Sequence, residues 1–162
     1  MKKLTVRDLT LAAMIAGLYV VLTMVSAAMG LASGAIQVRI SEALCILPVF
    51  TPAAVPGLWI GCLLANLVTG CAPWDIVFGS LATLLGAVGT RLLRQRPFLA
   101  WIPPVLSNML IVPVVLMKVY GVADAWWYLV LTVGAGEIIA CGILGLLLWR
   151  SLKNIPQIRN MK

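Results

Sequence analysis

The polar positions of this chain are sparse enough to act as punctuation. Leu9 to Val38 carries no charged residue, and its first 20 or so positions read as a spanning helix behind Lys2, Lys3 and Arg7. Gly30, Ser33 and Gly34 then mark a loop. The next apolar stretch, Ala43 to Cys71 and on to Trp74, is interrupted by P-V-F-T-P-A-A-V-P-G at Pro48 to Gly57. Proline removes backbone donors and breaks helices, so this stretch predicts two short pieces, either abbreviated helices or a re-entrant hairpin. Ile76 to Thr90 is a further segment, stopped by R-L-L-R-Q-R at Arg91 to Arg96. Leu99 to Met117 is another, and Trp126 to Trp149 is the last. If the broken stretch passes twice, the count is six, and residues 1–162 form a single all-α integral membrane bundle.

Composition agrees. The chain is 62% hydrophobic and 10% charged, against about 45–50% and 25% in soluble domains. Charge placement then orients the bundle, because Lys and Arg concentrate in cytoplasmic loops. Six crossings from an inside N-terminus put Lys2, Lys3, Arg7, Arg91, Arg94, Arg96, Arg150, Lys153, Arg159 and Lys162 inside, leaving Arg39 and Lys118 outside. A single crossing of the broken stretch would move the Arg91 to Arg96 cluster to the outer side. A non-crossing hairpin has the same parity as two crossings and stays open. Trp74, Tyr120, Trp126, Trp127 and Tyr128 would form an outer aromatic belt, and Trp101 and Trp149 an inner one. The net charge of +7 is spread over short breaks rather than one soluble face, which argues against nucleic acid as a partner. Lys2 and Lys3 before an apolar run, with S-A-A at Ser26 to Ala28, also fit a secretory signal. The run exceeds the 7–15 residues of such a region.

Several chemistries are excluded. The chain has no histidine, the commonest general acid–base group and metal ligand. Cys45, Cys62, Cys71 and Cys141 form no C-x-x-C pair and read as small core residues, so no metal or cofactor is expected. There is no G-x-x-x-x-G-K-[ST], and ATP-driven work would need a partner. An enzyme or assembly subunit is disfavoured for want of a nucleophile with a base.

What remains is a small set of polar groups. Asp8 and Asp124 sit at helix ends. Glu137 lies mid-segment, where a charge costs about 2.5–3.5 kcal/mol and must face a cavity or partner. It reads as a ligand or ion site, with a hydrogen-bonded structural carboxyl as the alternative. Glu42 follows Arg39 by three residues, a spacing that serves either a site or an interfacial salt bridge. Asp75 serves either a site or a helix cap. Asn66 and Asn108 either bond neighbouring helices or read a polar ligand. Trp59, seven residues before Asn66, either shares its face or packs. Glu42, Asp75 and Glu137 against Arg39 leave two excess negative charges, which suits a cationic, donor-rich ligand. Ala12-x-x-x-Ala16 and Ala13-x-x-x-Gly17 put small residues a turn apart on the first helix, either for internal packing or for a partner helix.

Q-V-R-I-S-E-A-L (Gln37 to Leu44), the block from Pro48 to Leu67, D-I-V-F-G-S-L-A-T-L-L-G-A (Asp75 to Ala87), Pro103-Pro104, Asn108 and G-E-I-I-A (Gly136 to Ala140) together resemble the QueT family. Its members are substrate-binding S-components of energy-coupling factor (ECF) importers. The resemblance implies a six-helix S-component fold, an outward-opening site, and capture of a queuosine precursor such as 7-aminomethyl-7-deazaguanine (preQ1). It also implies a transmembrane coupling protein, EcfT, and an ATPase pair, EcfA and EcfA′. On that footing Glu137 reads the guanine-like edge and Asp75 or Glu42 the ammonium. Asn66 and Asn108 take the remaining polar atoms, Trp74 or Trp59 stacks on the ring, and Ala12, Ala13, Ala16 and Gly17 meet the coupling protein. Rival readings are an S-component for another vitamin and an ion-coupled secondary transporter using Glu137.

Overall fold

The computed structural model describes residues 5–31 and 36–156. Lys2, Lys3, Ser33, Gly34, Arg159 and Lys162 lie outside the described residues. Within them the chain is helical throughout. Helix α1, Val6–Ala28, starts at a capping box in which Thr5 Oγ1 accepts from Asp8 N–H and the Asp8 carboxylate accepts from Thr5 N–H. It stops at Gly30, whose φ of 72° lets the chain turn where a side chain would be strained.

The broken stretch resolves into two short pieces. Ile40–Val49 is a ten-residue 3-10 helix, and α2 spans Ala54–Val68. The break itself is only residues 50–53, with Pro56 tolerated in the first turn of α2, where its missing donor would have had no partner. Helix α3, Pro73–Leu92, begins three residues before the charge pattern indicated because Pro73 pre-sets its first turn. After a short 3-10 turn at Pro97–Leu99, α4 runs Ile102–Lys118. Helix α5 is continuous from Trp126 to Leu152, with π-helical turns over Ile138–Leu144.

Four segments are long and apolar enough to cross a membrane: Val6–Ala28, Pro73–Leu92, Pro97–Lys118 and Trp126–Leu152. The chain is therefore a multi-pass membrane protein. At about 2 Å per residue the 3-10 piece is roughly 20 Å long, too short for a hydrocarbon core of about 30 Å. It survives because it is not exposed to lipid. Eight of its ten residues are buried, packed among α1, α3 and α5, which is where irregular backbone is tolerated at membrane depth.

The path of this central piece is set at both ends. At its start Ile40 N–H donates to Ser26 Oγ near the end of α1 (2.9 Å). At its finish Arg91 Nη1 donates to the carbonyls of Pro48 (3.0 Å) and Val49 (3.4 Å), and Ile46, Val49, Phe50 and Ala100 form a cluster against Trp149 and Leu152. The 3-10 helix thus runs the depth of the bundle, and α2 returns parallel to α1. Arg7, Arg91, Arg94, Arg96, Arg150 and Lys153 gather at one end, here the Arg91 end, and Arg39 and Lys118 at the other, the Asp75 end.

The small-residue pattern of α1 divides between two faces. Ala12 and Ala16 are buried against α2, where a Cβ on Gly57 would stand 2.7 Å from Ala12 O and one on Gly61 3.0 Å from Ala16 Cα. The expectation that Ala12 and Ala16 meet a partner is corrected: glycine on α2 brings that helix too close for anything else to enter. Ala13 and Gly17 are exposed, and a Cβ on Gly17 would meet nothing within 4 Å.

Gly57→Val and Gly61→Val should therefore each destabilise the fold by about 1–3 kcal/mol through overpacking, read as a lower thermal unfolding midpoint in detergent. Gly17→Ala should leave the midpoint unchanged or slightly higher. Equal behaviour at Gly17 and Gly57 would refute the α1–α2 seam.

Candidate ligand cavity

The apolar helices carry a ladder of polar groups where α1 meets the 3-10 helix. Tyr19 OH donates to Glu42 Oε1, Thr23 Oγ1 lies 2.8 Å from Ser41 Oγ, and Ser26 takes the backbone of Ile40. Positions 19, 23 and 26 share a face of α1, so one stripe supplies all three rungs. Tyr19, Ser26 and Ser41 are completely buried, and Thr23 and Glu42 nearly so. Cys45 Sγ donates to Glu42 Oε2 at 3.0 Å, giving each oxygen of that carboxylate an internal donor. Among the described residues no buried side-chain oxygen or nitrogen lacks a partner.

This ladder borders a cavity of about 490 Å³, within the range of about 300–1,000 Å³ typical of small-molecule sites. Glu42, Glu137, Asp75, Arg39 and Asn108 all line it. Three carboxylates against one guanidinium give a formal excess of two negative charges. Glu42 and Glu137 are on its floor, joined through Cys141, whose Sγ is 3.3 Å from Glu137 Oε2 and 3.4 Å from Glu42 O. Glu137 reaches this position because Gly136 lets α5 close on the extended chain at Gln37, where an added Cβ would stand 2.0 Å from the Gln37 carbonyl oxygen.

Asp75 is at the mouth. No side chain caps α3. The Asp75 carboxylate instead accepts from Tyr120 OH at 2.8 Å, and the same hydroxyl accepts from Ala72 N–H at 3.1 Å. Partial burial, and then the bond to Asp75, push the Tyr120 hydroxyl up to about 12. It therefore stays protonated at neutral pH, as a donor to Asp75 must.

Arg39 does not take Glu42 as a salt-bridge partner. Its Nη1 donates to Asn66 Oδ1 at 3.3 Å, so Asn66 stands behind the wall and steers the guanidinium rather than lining the space. Trp74 and Trp59 are corrected. Trp74 is 62% exposed and borders a separate apolar groove with Phe78 and Val114; Trp59 is 38% exposed and does not line the cavity. Both indoles point away because a bulky ring on the outside of an apolar bundle is satisfied by lipid. Among the described lining residues the one aromatic ring is Tyr120. Sequence reading had placed it in the aromatic belt, and had passed over Tyr19, Thr23, Gln37, Thr69 and Thr83. Threonine in a spanning helix ordinarily bonds its own backbone, as Thr83 does to Gly79 O, and so carries no distinguishing signal. A mid-helix tyrosine does carry one, since its hydroxyl must find a buried partner.

Residues 9–154 match the QueT transporter family. The chain belongs to that family. The queuosine precursor transporter QueT of Lactococcus lactis subsp. cremoris (strain MG1363) is 35% identical over 86 residues, which cover 52% of this chain and 50% of that protein. The match thus spans about half the length of that curated relative. No solved structure matches the chain significantly. The family is one of transporters, and the motif resemblance read from Gln37 to Ala140 points to the family that matches.

Of the four cysteines only Cys71 is not buried, and it lines the cavity. A bulky hydrophilic maleimide should react with one thiol per folded chain, and Cys71→Ser should abolish the reaction. Two or more thiols reacting before unfolding would contradict this cavity wall.

Proposed function

We propose that the chain is the substrate-capture subunit of an ECF-type ATP-driven importer and binds a queuosine precursor, 7-aminomethyl-7-deazaguanine or a close relative, in the cavity between Glu42, Glu137 and Asp75. One observation carries this reading: a net-acidic cavity lined by one buried carboxylate, Glu42, and two half-buried ones, Glu137 and Asp75, in a member of the QueT family. A deazaguanine edge presents adjacent N–H donors, which a carboxylate accepts in pairs, and its aminomethyl group is an ammonium. The floor acids suit the base edge because internal donors, Tyr19 and Cys45 to Glu42 and Cys141 to Glu137, already fix their carboxylates. Asp75 suits the ammonium because it stands apart from them, at the solvated end. Asn108 reads a remaining polar atom, Arg39 balances part of the acidic charge, and Tyr120 is the ring on which the base stacks.

In the membrane the Asp75 end faces outward and both termini are cytoplasmic. The six described cations at the Arg91 end against two at the Asp75 end support this orientation. Energy comes from EcfT with EcfA and EcfA′, since the chain holds no phosphate-binding loop. The coupling surface is the exposed side of α1 at Ala13 and Gly17, where small residues leave a shallow strip beside the exposed Met14 and Leu18.

Titration of the detergent-purified chain tests the substrate. The deazaguanine should bind, and riboflavin, thiamine and biotin should not; binding of one of these instead would reassign the subunit. Glu137→Gln should weaken binding by about 1.5–3 kcal/mol, or roughly 10- to 150-fold in Kd. Trp74→Ala and Trp59→Ala should leave Kd within about twofold, and a large loss in either would return the stacking role to it. Ala13→Trp with Gly17→Trp should abolish assembly with the coupling protein while binding persists. Uptake by the isolated chain in vesicles without ATP would favour ion-coupled transport.

A further inference from the structure

Beneath the cavity floor the fold assembles a second set of groups whose chemistry differs from that of the cavity. Cys45 of the 3-10 helix and Cys141 of the π-helical turns of α5 meet there. Their two sulfurs and a carboxylate oxygen of Glu42 all lie within 4.8 Å of one another, and all three residues are buried. Cys45 Sγ is 3.0 Å from Glu42 Oε2, and Cys141 Sγ is 3.3 Å from Glu137 Oε2. Two thiols and one carboxylate from two different elements therefore converge on one point, with Glu137 touching the Cys141 sulfur from the side.

We propose that Glu42, Cys45 and Cys141 form a three-ligand binding site for a thiophilic divalent cation of the zinc class, with Glu137 beside it, and that a cation bound there excludes the organic ligand of the cavity. The spacing fits. A tetrahedral zinc ion with sulfur at about 2.3 Å and carboxylate oxygen at about 2.1 Å sets its ligands about 3.4–3.8 Å apart. The three ligand atoms, all within 4.8 Å of one another, need shifts of no more than about an ångström to reach that range. The donor set selects the metal, since thiolate sulfur favours zinc or cadmium over magnesium or calcium, which take oxygen shells.

Charge balance also permits it at this depth. Binding breaks two S–H bonds and forms two S–metal bonds, and the two protons leave through cavity water. A 2+ ion enters as two protons depart, so the buried cluster gains no net charge. The route is open because Glu42 and Glu137 also line the cavity. Exclusion follows from the same fact: the Glu42 carboxylate that would accept N–H donors from an organic ligand becomes a metal ligand, and the cation stands beside Glu137. Tyr19, donating to Glu42 from α1, would orient the metal-bound carboxylate.

The test uses the full chain, reduced and metal-free, in detergent. Cd²⁺ should bind once per chain with sulfur-to-cadmium charge-transfer absorption in the ultraviolet, and Zn²⁺ should abolish that band by competition. The band should vanish in Cys45→Ser with Cys141→Ser and persist in Cys62→Ser with Cys71→Ser. Zn²⁺, but not Mg²⁺, should raise the thermal midpoint of the parent chain, a readout that does not depend on the variants folding. No band in the parent, no zinc-specific rise, or a band that survives loss of Cys45 and Cys141 would overturn the site. Saturating Zn²⁺ should also weaken deazaguanine binding at least tenfold, and unchanged affinity would overturn the exclusion. This last arm alone rests on the proposed substrate; if the deazaguanine does not bind at all, the cadmium and zinc measurements still decide the cation site.

Discussion

A carboxylate placed at the centre of an apolar bundle must receive its hydrogen-bond donors from its own chain, because lipid offers none. Glu42 meets that condition through Tyr19 and Cys45, and the rest of the structure follows from the way it does so. The rungs Tyr19–Glu42, Thr23–Ser41 and Ser26–Ile40 run along α1 in one direction and along the 3-10 helix in the other. They fix the register of the two elements and hold the 3-10 helix inside the bundle. Once it is there, its far end must also be satisfied, and Arg91 supplies donors to the carbonyls of Pro48 and Val49. One of the basic residues clustered at that end is thus also a structural cap.

The cavity is a consequence of the same arrangement. A ten-residue 3-10 helix is slimmer than an α-helix, and it occupies the axis that a sixth α-helix would otherwise fill. On the Asp75 side, the extended chain before it leaves an open volume walled by α1, α2, α3, α4 and α5. The polar groups on that wall fall into two environments. Glu42 is buried beside the Cys45 thiol and Glu137 is half-buried beside that of Cys141, whereas Asp75 is half-buried at the mouth, held by Tyr120 from the α4–α5 connection.

Close packing elsewhere rests on glycine. Gly57 and Gly61 draw α2 onto Ala12 and Ala16, and Gly136 admits the Gln37 backbone. These contacts consume half of the small-residue pattern of α1, leaving Ala13 and Gly17 on the lipid-facing side. In a membrane, where apolar surface alone drives no association between helices, close backbone approach is a main source of helix affinity. Which small residues are spent internally therefore decides which remain for a partner.

Much of this was determined by the sequence alone. Apolar block lengths, proline interruptions and the distribution of Lys and Arg set an all-α, multi-pass bundle with a split second stretch, because the bilayer constrains segment length and loop charge locally along the chain. The motif blocks from Gln37 to Ala140 were enough to place the family, and Glu42, Asp75, Glu137, Arg39 and Asn108 stood out because a polar side chain in such a segment needs a reason. Only the tertiary structure decided the direction in which each side chain faces. Trp74 and Trp59 stay off the cavity while the half-exposed Tyr120 lines it, Asn66 supports Arg39 from behind, and Ala12 parts company with Ala13. The ladder from Tyr19 to Ser26 and the meeting of Cys45 with Cys141 join residues distant in sequence, and no local period records them. Hydropathy marks which residues are expensive to bury in lipid, but the partners that offset that expense are chosen by packing.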